Sequence, residues 1–170
     1  MEQTLIHPVS EAKSQEFFDL VRSSMKFPLY LFLKIPSAFF SGLRIKSVNE
    51  ETSVVTIPYK WFSQNPFKST YFACLSMAAE MSTGVLGLAH THKLNPSVSM
   101  LVVSIEGDFY KKATGLSSFV CKEGVRIKET IADAIHSGEG ESIQVTSIGT
   151  NESGEKVAEF RVTWSFKARK

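Results

Sequence analysis

Residues 69–89 read STYFACLSMAAEMSTGVLGLA, and Glu80 is the only charged residue among these 21. The rest are apolar, small or hydroxyl-bearing. Ala73, Cys74, Met77, Ala78 and Met81 put apolar groups on every side of a helix, which is the pattern of a buried one. Burial disfavours the charged form of a carboxyl and raises its pKa. That is how a general base is tuned to work near neutral pH. The competing reading of Glu80 is structural, a carboxylate that satisfies an interface or a backbone group. Ser76 and Thr83, at i−4 and i+3, either tune Glu80 or hydrogen-bond back to their own helix. Gly84 and Gly87 are expected to weaken the end of the helix, and residues 90–96 form a polar exit.

Where this helix starts matters. With Ser69 or Thr70 as the cap, the N–H groups of Phe72 and Ala73 lie unpaired at the positive end of the helix dipole. They are then candidate donors to a developing oxyanion. With Asn65 as the cap and Pro66 as the first helical residue, the helix would consume them.

Upstream, residues 11–26 carry Phe17, Leu20, Val21 and Met25 at helical spacing, with Ser10 as the candidate cap. Residues 27–40 predict a second short helix broken at Pro36, and the apolar faces of these N-terminal helices must cover something. Residues 43–48 and 53–59 flank the turn-prone Asn49-Glu50-Glu51 and predict a hairpin, followed by a loop over 60–68. Downstream, strands are expected over 97–109, 116–122 and 143–150, and a helix over 125–136. The final strand is the clearest: Ala158, Phe160, Val162, Trp164 and Phe166 alternate with Glu159, Arg161, Thr163 and Ser165. Helices do not alternate with strands, so the class is α+β, with one long helix wrapped by a curved antiparallel sheet. The expected organisation is one domain over 1–170, with an N-terminal helical segment at 1–39 and the core at 40–170.

The chain has 170 residues, 43% of them hydrophobic and 21% charged, with a net charge of +2, which gives no reason to expect a nucleic-acid partner. Cys74 and Cys121 are too few for a disulfide framework and read as core residues. His90 and His92 form an H-x-H pair without an acidic or cysteine cluster beside it, so neither a metal nor a cofactor is expected; His7 and His136 have no evident partners. The polar opening MEQTLIHPVSEAK lacks the pattern of a secretory signal, and the default expectation is a cytoplasmic protein. Residues 27–40 are too short and interrupted to span a bilayer. Residues 69–89 are long enough, but a charge at a bilayer centre costs about 2.5–3.5 kcal/mol, so no stable membrane insertion is expected.

The layout resembles the hotdog fold, and the central helix resembles that of hotdog acyl-CoA thioesterases of the phenylacetate-pathway type. In that group an Asn stands six positions before a His-Gly pair, and an acidic residue nine positions after the His. Here Asn65 precedes Tyr71 by six, and Glu80 follows Tyr71 by nine. The resemblance covers roughly residues 40–167, including the turn Asp108-Phe109-Tyr110-Lys111-Lys112-Ala113 and the closing strand through Trp164. The N-terminal helices resemble an uncharacterised branch of the superfamily. The His-Gly-Gly of the enzymes is Tyr71-Phe72-Ala73 here.

The resemblance implies a thioester hydrolase acting on acyl-CoA or an acyl-carrier thioester. Glu80 would be its base or nucleophile, Asn65 would orient water or the carbonyl, and Tyr71 would partly replace the His. The N–H groups of Phe72 and Ala73 would polarise the carbonyl. Lys111 and Lys112 would meet coenzyme A phosphates, and Ser97 and Ser99 would offer a hydroxyl near the acid. It also implies a homodimer or dimer of dimers with the acyl groove between subunits. Two alternatives stand beside this: a non-catalytic acyl- or lipid-binding module, and an assembly protein in which Glu80 staples an interface.

Overall fold

In a computed structural model of the protein, residues 11–169 are described, the first three of them by backbone alone. Ser10 and His7 lie outside the described residues. The elements run α1 Glu11–Arg22, α2 Lys26–Lys34, α3 Pro36–Ser41, β1 Arg44–Val48, β2 Ser53–Ile57, a 3-10 turn Trp61–Ser63, α4 Phe72–Thr91, β3 Val98–Phe109, β4 Ser117–Cys121, α5 Gly124–Ser137, β5 Gly140–Thr150 and β6 Lys156–Ala168. The six strands form one antiparallel sheet in the order β1-β2-β4-β5-β6-β3. With α4 held against the sheet and the N-terminal helices packed beside it, this is the hotdog arrangement that the resemblance implies.

Local chemistry explains most boundaries. Pro36 opens α3, and Ile35 before it is pushed out of helical geometry (φ −137°, ψ 67°), which separates α2 from α3. Gly42 closes α3 at φ 79° and donates its N–H to the Ala38 and Phe39 carbonyls. The first helix is shorter than expected, ending at Arg22, and Met25 caps the next one instead.

The start of α4 is also later than expected. The Asn65 side-chain oxygen accepts the N–H groups of Phe67 and Ser69. Thr70 gives both its N–H and its hydroxyl to the Ala113 carbonyl, and Tyr71 gives its N–H to the Ser63 carbonyl. Residues 65–71 are thereby tied to other partners, and the helix begins only at Phe72, with neither Ser69 nor Thr70 as its cap.

α4 is long and apolar enough to cross a membrane, but two-thirds of its most apolar window is packed inside the fold. Its hydroxyls are matched: Ser82 bonds to the Ala79 carbonyl and the Ser147 hydroxyl, and Ser53 donates to the Ser82 carbonyl. Gly84 and Gly87 do not weaken the helix end; they let it approach the sheet. A Cβ on Gly84 would lie 3.0 Å from the Trp164 ring, and one on Gly87 would lie 3.3 Å from Phe166. On β6, Ala158, Phe160, Val162, Trp164 and Phe166 are all buried, as the alternation predicts. Both cysteines are buried and unpaired, and burial pushes the Cys121 thiol up to about 11.

Gly124 begins α5 where the β1–β2 turn crosses it. A Cβ there would stand 2.1 Å from the Glu50 carbonyl oxygen and 2.8 Å from the Glu51 Cα, both backbone atoms that cannot rotate away. Gly124→Ala is expected to destabilise the protein by about 1–3 kcal/mol or more, read as a lower urea midpoint. An unchanged midpoint would show that the turn can move freely.

The N-terminal helices cover the core only in part. α1 buries Phe17, Phe18 and Val21, and α2 buries Phe27 and Leu31. Leu29, Phe32 and Leu33 of α2 and Phe40 of α3 stay exposed.

Candidate functional site

The N-terminus of α4 opens onto a cleft of about 530 Å³. Its floor and walls come from the 65–72 segment and from the turn after β3: Asn65, Phe67, Tyr71, Phe72 and Leu75 face Phe109, Tyr110, Lys111 and Lys112. Five of the 13 lining residues are aromatic, and the Tyr71 and Phe72 rings stand edge-to-face at 4.8 Å. Lys111 pairs with Glu155 at 2.5 Å, and Lys112 reaches the Phe67 carbonyl at 3.3 Å.

Tyr71 is the N-cap and contributes no side-chain cap. Its carbonyl takes the N–H groups of Cys74 and Leu75 at 2.9 and 3.3 Å, and among the described residues the N–H groups of Phe72 and Ala73 have no acceptor. Two aligned donors therefore remain at the positive end of a 20-residue helix. The Phe72 side chain stands exposed beside them, where a glycine would leave open space.

Glu80 lies elsewhere. At 1.5 Å per residue it is about 12 Å along the axis from Phe72, and it does not line the cleft. Its carboxylate oxygen faces the Gly84 position, where the Trp164 ring also packs. Among the described residues the carboxylate has no hydrogen-bond donor and no cation, and desolvation alone holds its pKa above the ordinary carboxylate range. The neighbouring hydroxyls do not serve it. Ser76 donates to the Phe72 carbonyl at 3.0 Å and Thr83 to the Glu80 carbonyl at 2.9 Å, while Thr83 accepts the Trp164 indole N–H at 2.9 Å. Glu80 is thus a half-buried carboxylate without a partner among the described residues, its pKa raised by desolvation.

Asn65 uses both ends of its amide to hold the turn, with its nitrogen directed to the Ser69 hydroxyl at 3.1 Å. Ser97 precedes β3 and Ser99 donates to the Lys167 carbonyl at 3.0 Å, at the end of the strand remote from Phe109. The fold thus gathers Asn65, Tyr71, Phe72, Lys111 and Lys112 in one cleft, and leaves Ala73, Glu80, Ser97 and Ser99 out of its lining. Sequence reasoning missed Phe67, Leu75, Phe109 and Tyr110. The aromatic pair at 109–110, set directly before two lysines, was the available signal. His90 is buried with its Nε2 3.0 Å from the Glu50 carbonyl oxygen, and His92 lies against Phe17. No group of three His, Cys, Asp or Glu side chains gathers among the described residues.

β3 is an edge strand. β6 bonds to one side of it, and Leu101, Val103, Ile105 and Phe109 remain exposed. A long apolar edge with unpaired backbone groups invites another strand.

Solved structures share this fold at low identity. A Pseudomonas aeruginosa protein, PA5026, of unknown function and described as a probable thioesterase, aligns with a TM-score of 0.72 at 21% identity, over 85% of this chain and 95% of that one. PaaI of E. coli, from the phenylacetic acid degradation operon, aligns at 0.62 and 13% identity, over 89% and 94%. Thioesterase HI1161 of Haemophilus influenzae aligns at 0.59 and 14%, over 82% and 88%. No curated protein matches the chain. The model of a domain of unknown function, DUF4442, matches residues 27–166, and the chain belongs to the DUF4442 family.

Proposed function

We propose that the protein hydrolyses an acyl thioester, with Glu80 as base or nucleophile. The observation that carries this is the Glu80 carboxylate, half-buried and without a partner among the described residues, with its pKa raised by desolvation. It is supported by the two free N–H groups at the start of the same helix, which are available to donate to a developing oxyanion. The two features are too far apart to act on one carbonyl within a protomer, so the reading requires a second copy. Antiparallel continuation of the sheet across β3 would cover its apolar edge and reverse α4 between protomers. The Phe72 end of one helix would then approach Glu80 of the other. In this arrangement Tyr71 and the Asn65 turn shape the cleft, and Lys111 and Lys112 at its rim meet the anionic end of the thiol carrier.

Thiol release from a panel of acyl-CoAs of different chain length tests the proposal, with the oligomeric state recorded alongside. Turnover by a dimer is the expected result. A folded dimer that hydrolyses none of the panel would sink it.

One observation favours a second reading. An exposed Phe72 ring lines the cleft at the start of α4, in place of the small residue that would leave room for a substrate carbonyl beside the N–H pair. An acyl-binding module without turnover fits that ring, and fatty acid co-purifying with an inactive protein would decide for it.

A further inference from the structure

α2 carries apolar residues on both faces. One face is buried through Phe27 and Leu31, and the other leaves Leu29, Phe32 and Leu33 in solvent, Leu33 at 65% exposure. The exposed face does not end with the helix. Phe32 meets Phe40 at 6.1 Å, Phe40 meets Phe62 at 5.8 Å, and Phe62 meets Trp61 at 6.3 Å between ring centroids. One apolar band therefore runs from α2 across α3 to the 3-10 turn, ending on a tryptophan that is 81% exposed.

The stretches of chain that carry the band hold charges of one sign only. Residues 20–49 contain Arg22, Lys26, Lys34, Arg44 and Lys46 and no Asp or Glu; residues 52–79 contain Lys60 and Lys68 and again no acid. None of these seven cations forms an ion pair among the described residues, whereas Lys93, Lys111, Arg126, Lys128, Lys156 and Arg161 all do. Lys26 and Lys34 bracket α2, and Lys60 immediately precedes Trp61 with its ammonium over the α3 end at Gly42.

We propose that this face docks on the surface of an anionic phospholipid membrane. Aromatic and leucine side chains with a surround of unpaired lysines are the composition of an in-plane interfacial anchor. The rings enter the headgroup boundary while the lysines meet lipid phosphates. The same charge pattern argues against a second copy on this face, since a two-fold contact would set one cationic rim against another. The attachment is peripheral: α4, the span-length helix, stays inside the fold. The inference stands apart from the thioesterase reading, because no residue of the band belongs to the α4 cleft.

Trp61 is the reporter, since the other tryptophan, Trp164, is 5% exposed. Full-length protein is mixed with vesicles of phosphatidylcholine alone and of phosphatidylcholine with phosphatidylglycerol. The expected result is sedimentation with the anionic vesicles, a blue shift of Trp61 emission, and release by salt. Lys26→Gln with Lys34→Gln should weaken partitioning about thirtyfold, from about 1 kcal/mol per lysine at an anionic surface, and Phe32→Ser with Leu33→Ser should abolish the blue shift. Absence of sedimentation, equal binding to neutral vesicles, or unchanged binding by the lysine variant would overturn the proposal. So would a blue shift that grows with protein concentration in the absence of lipid, which would assign the face to a second copy or another protein.

Discussion

Glu80→Gln is expected to lower kcat/KM for a thioester by about 10²–10⁴-fold, the span associated with losing a general base, and to leave the fold intact. The substitution keeps the shape of the side chain and removes only its ability to take a proton. No hydrogen bond or ion pair to the carboxylate is lost, because none is present among the described residues. Replacing a desolvated charge with a neutral amide should therefore leave thermal stability at neutral pH equal or slightly higher. This separates chemistry from scaffolding. If Glu80 staples an interface, the variant dissociates and its activity falls with its assembly; if it is the base, activity falls while the dimer persists. Burial also fixes the direction of the pH profile. The carboxyl ionises above the usual carboxylate range, so wild-type kcat/KM should rise with pH through that region and then level off. The rise should be missing from any residual activity of Glu80→Gln. Equal rates in the two proteins would remove Glu80 from the reaction.

Phe166→Ala is expected to cost about 3–5 kcal/mol and to lower Tm by about 6–20 °C, at 2–4 °C per kcal/mol for a chain of this size. Phe166 is completely buried near the end of β6. It sits opposite Met100 on β3 and Glu141 on β5, and its ring reaches the Gly87 position on α4. Truncation would open a cavity at the junction of three elements, where the close approach of α4 leaves little freedom to collapse into it. Chemical denaturation gives the free energy and calorimetry the midpoint. A loss below about 1 kcal/mol, as in sites that repack easily, would mean that the helix can settle into the vacated space.

The two elements that fix the architecture were legible because each has one dominant physical demand. β6 faces the core with one side, so its burial shows as strict alternation. α4 is enclosed by sheet and helices, so it is apolar all round. What escaped the sequence depends on distant partners. The first turn of α4 is set by Ala113, 43 residues away, and by an Asn65 turn that looks equally suited to capping a helix. The segment SVSMLVVSIEGDF has the composition of an interior strand; only its pairing with β6 makes it an edge. α2, with KFPLYLFLK, gives no clue to which apolar face is buried, since both qualify. For the candidate site, the spacing of Asn65, Tyr71 and Glu80 was readable, but not the consequence of starting α4 at Phe72. A rise of 1.5 Å per residue then sets Glu80 about 12 Å along the axis from the Phe72 N–H, however well the spacing matches.

The strand order also sets a timetable. β1, β2, β4 and β5 can pair with one another as the chain lengthens. β3 cannot join them: its described partner is β6, with Phe109 opposite Ala158 and Val98 opposite Ala168. The last strand made is thus the one that connects β3 to the sheet and places Trp164 and Phe166 against α4. Until it arrives, the most apolar helix and a 12-residue strand lack the surface that completes their burial. Contacts this distant along the chain slow folding and prolong the exposure of sticky surface, so completion waits on residues 156–168.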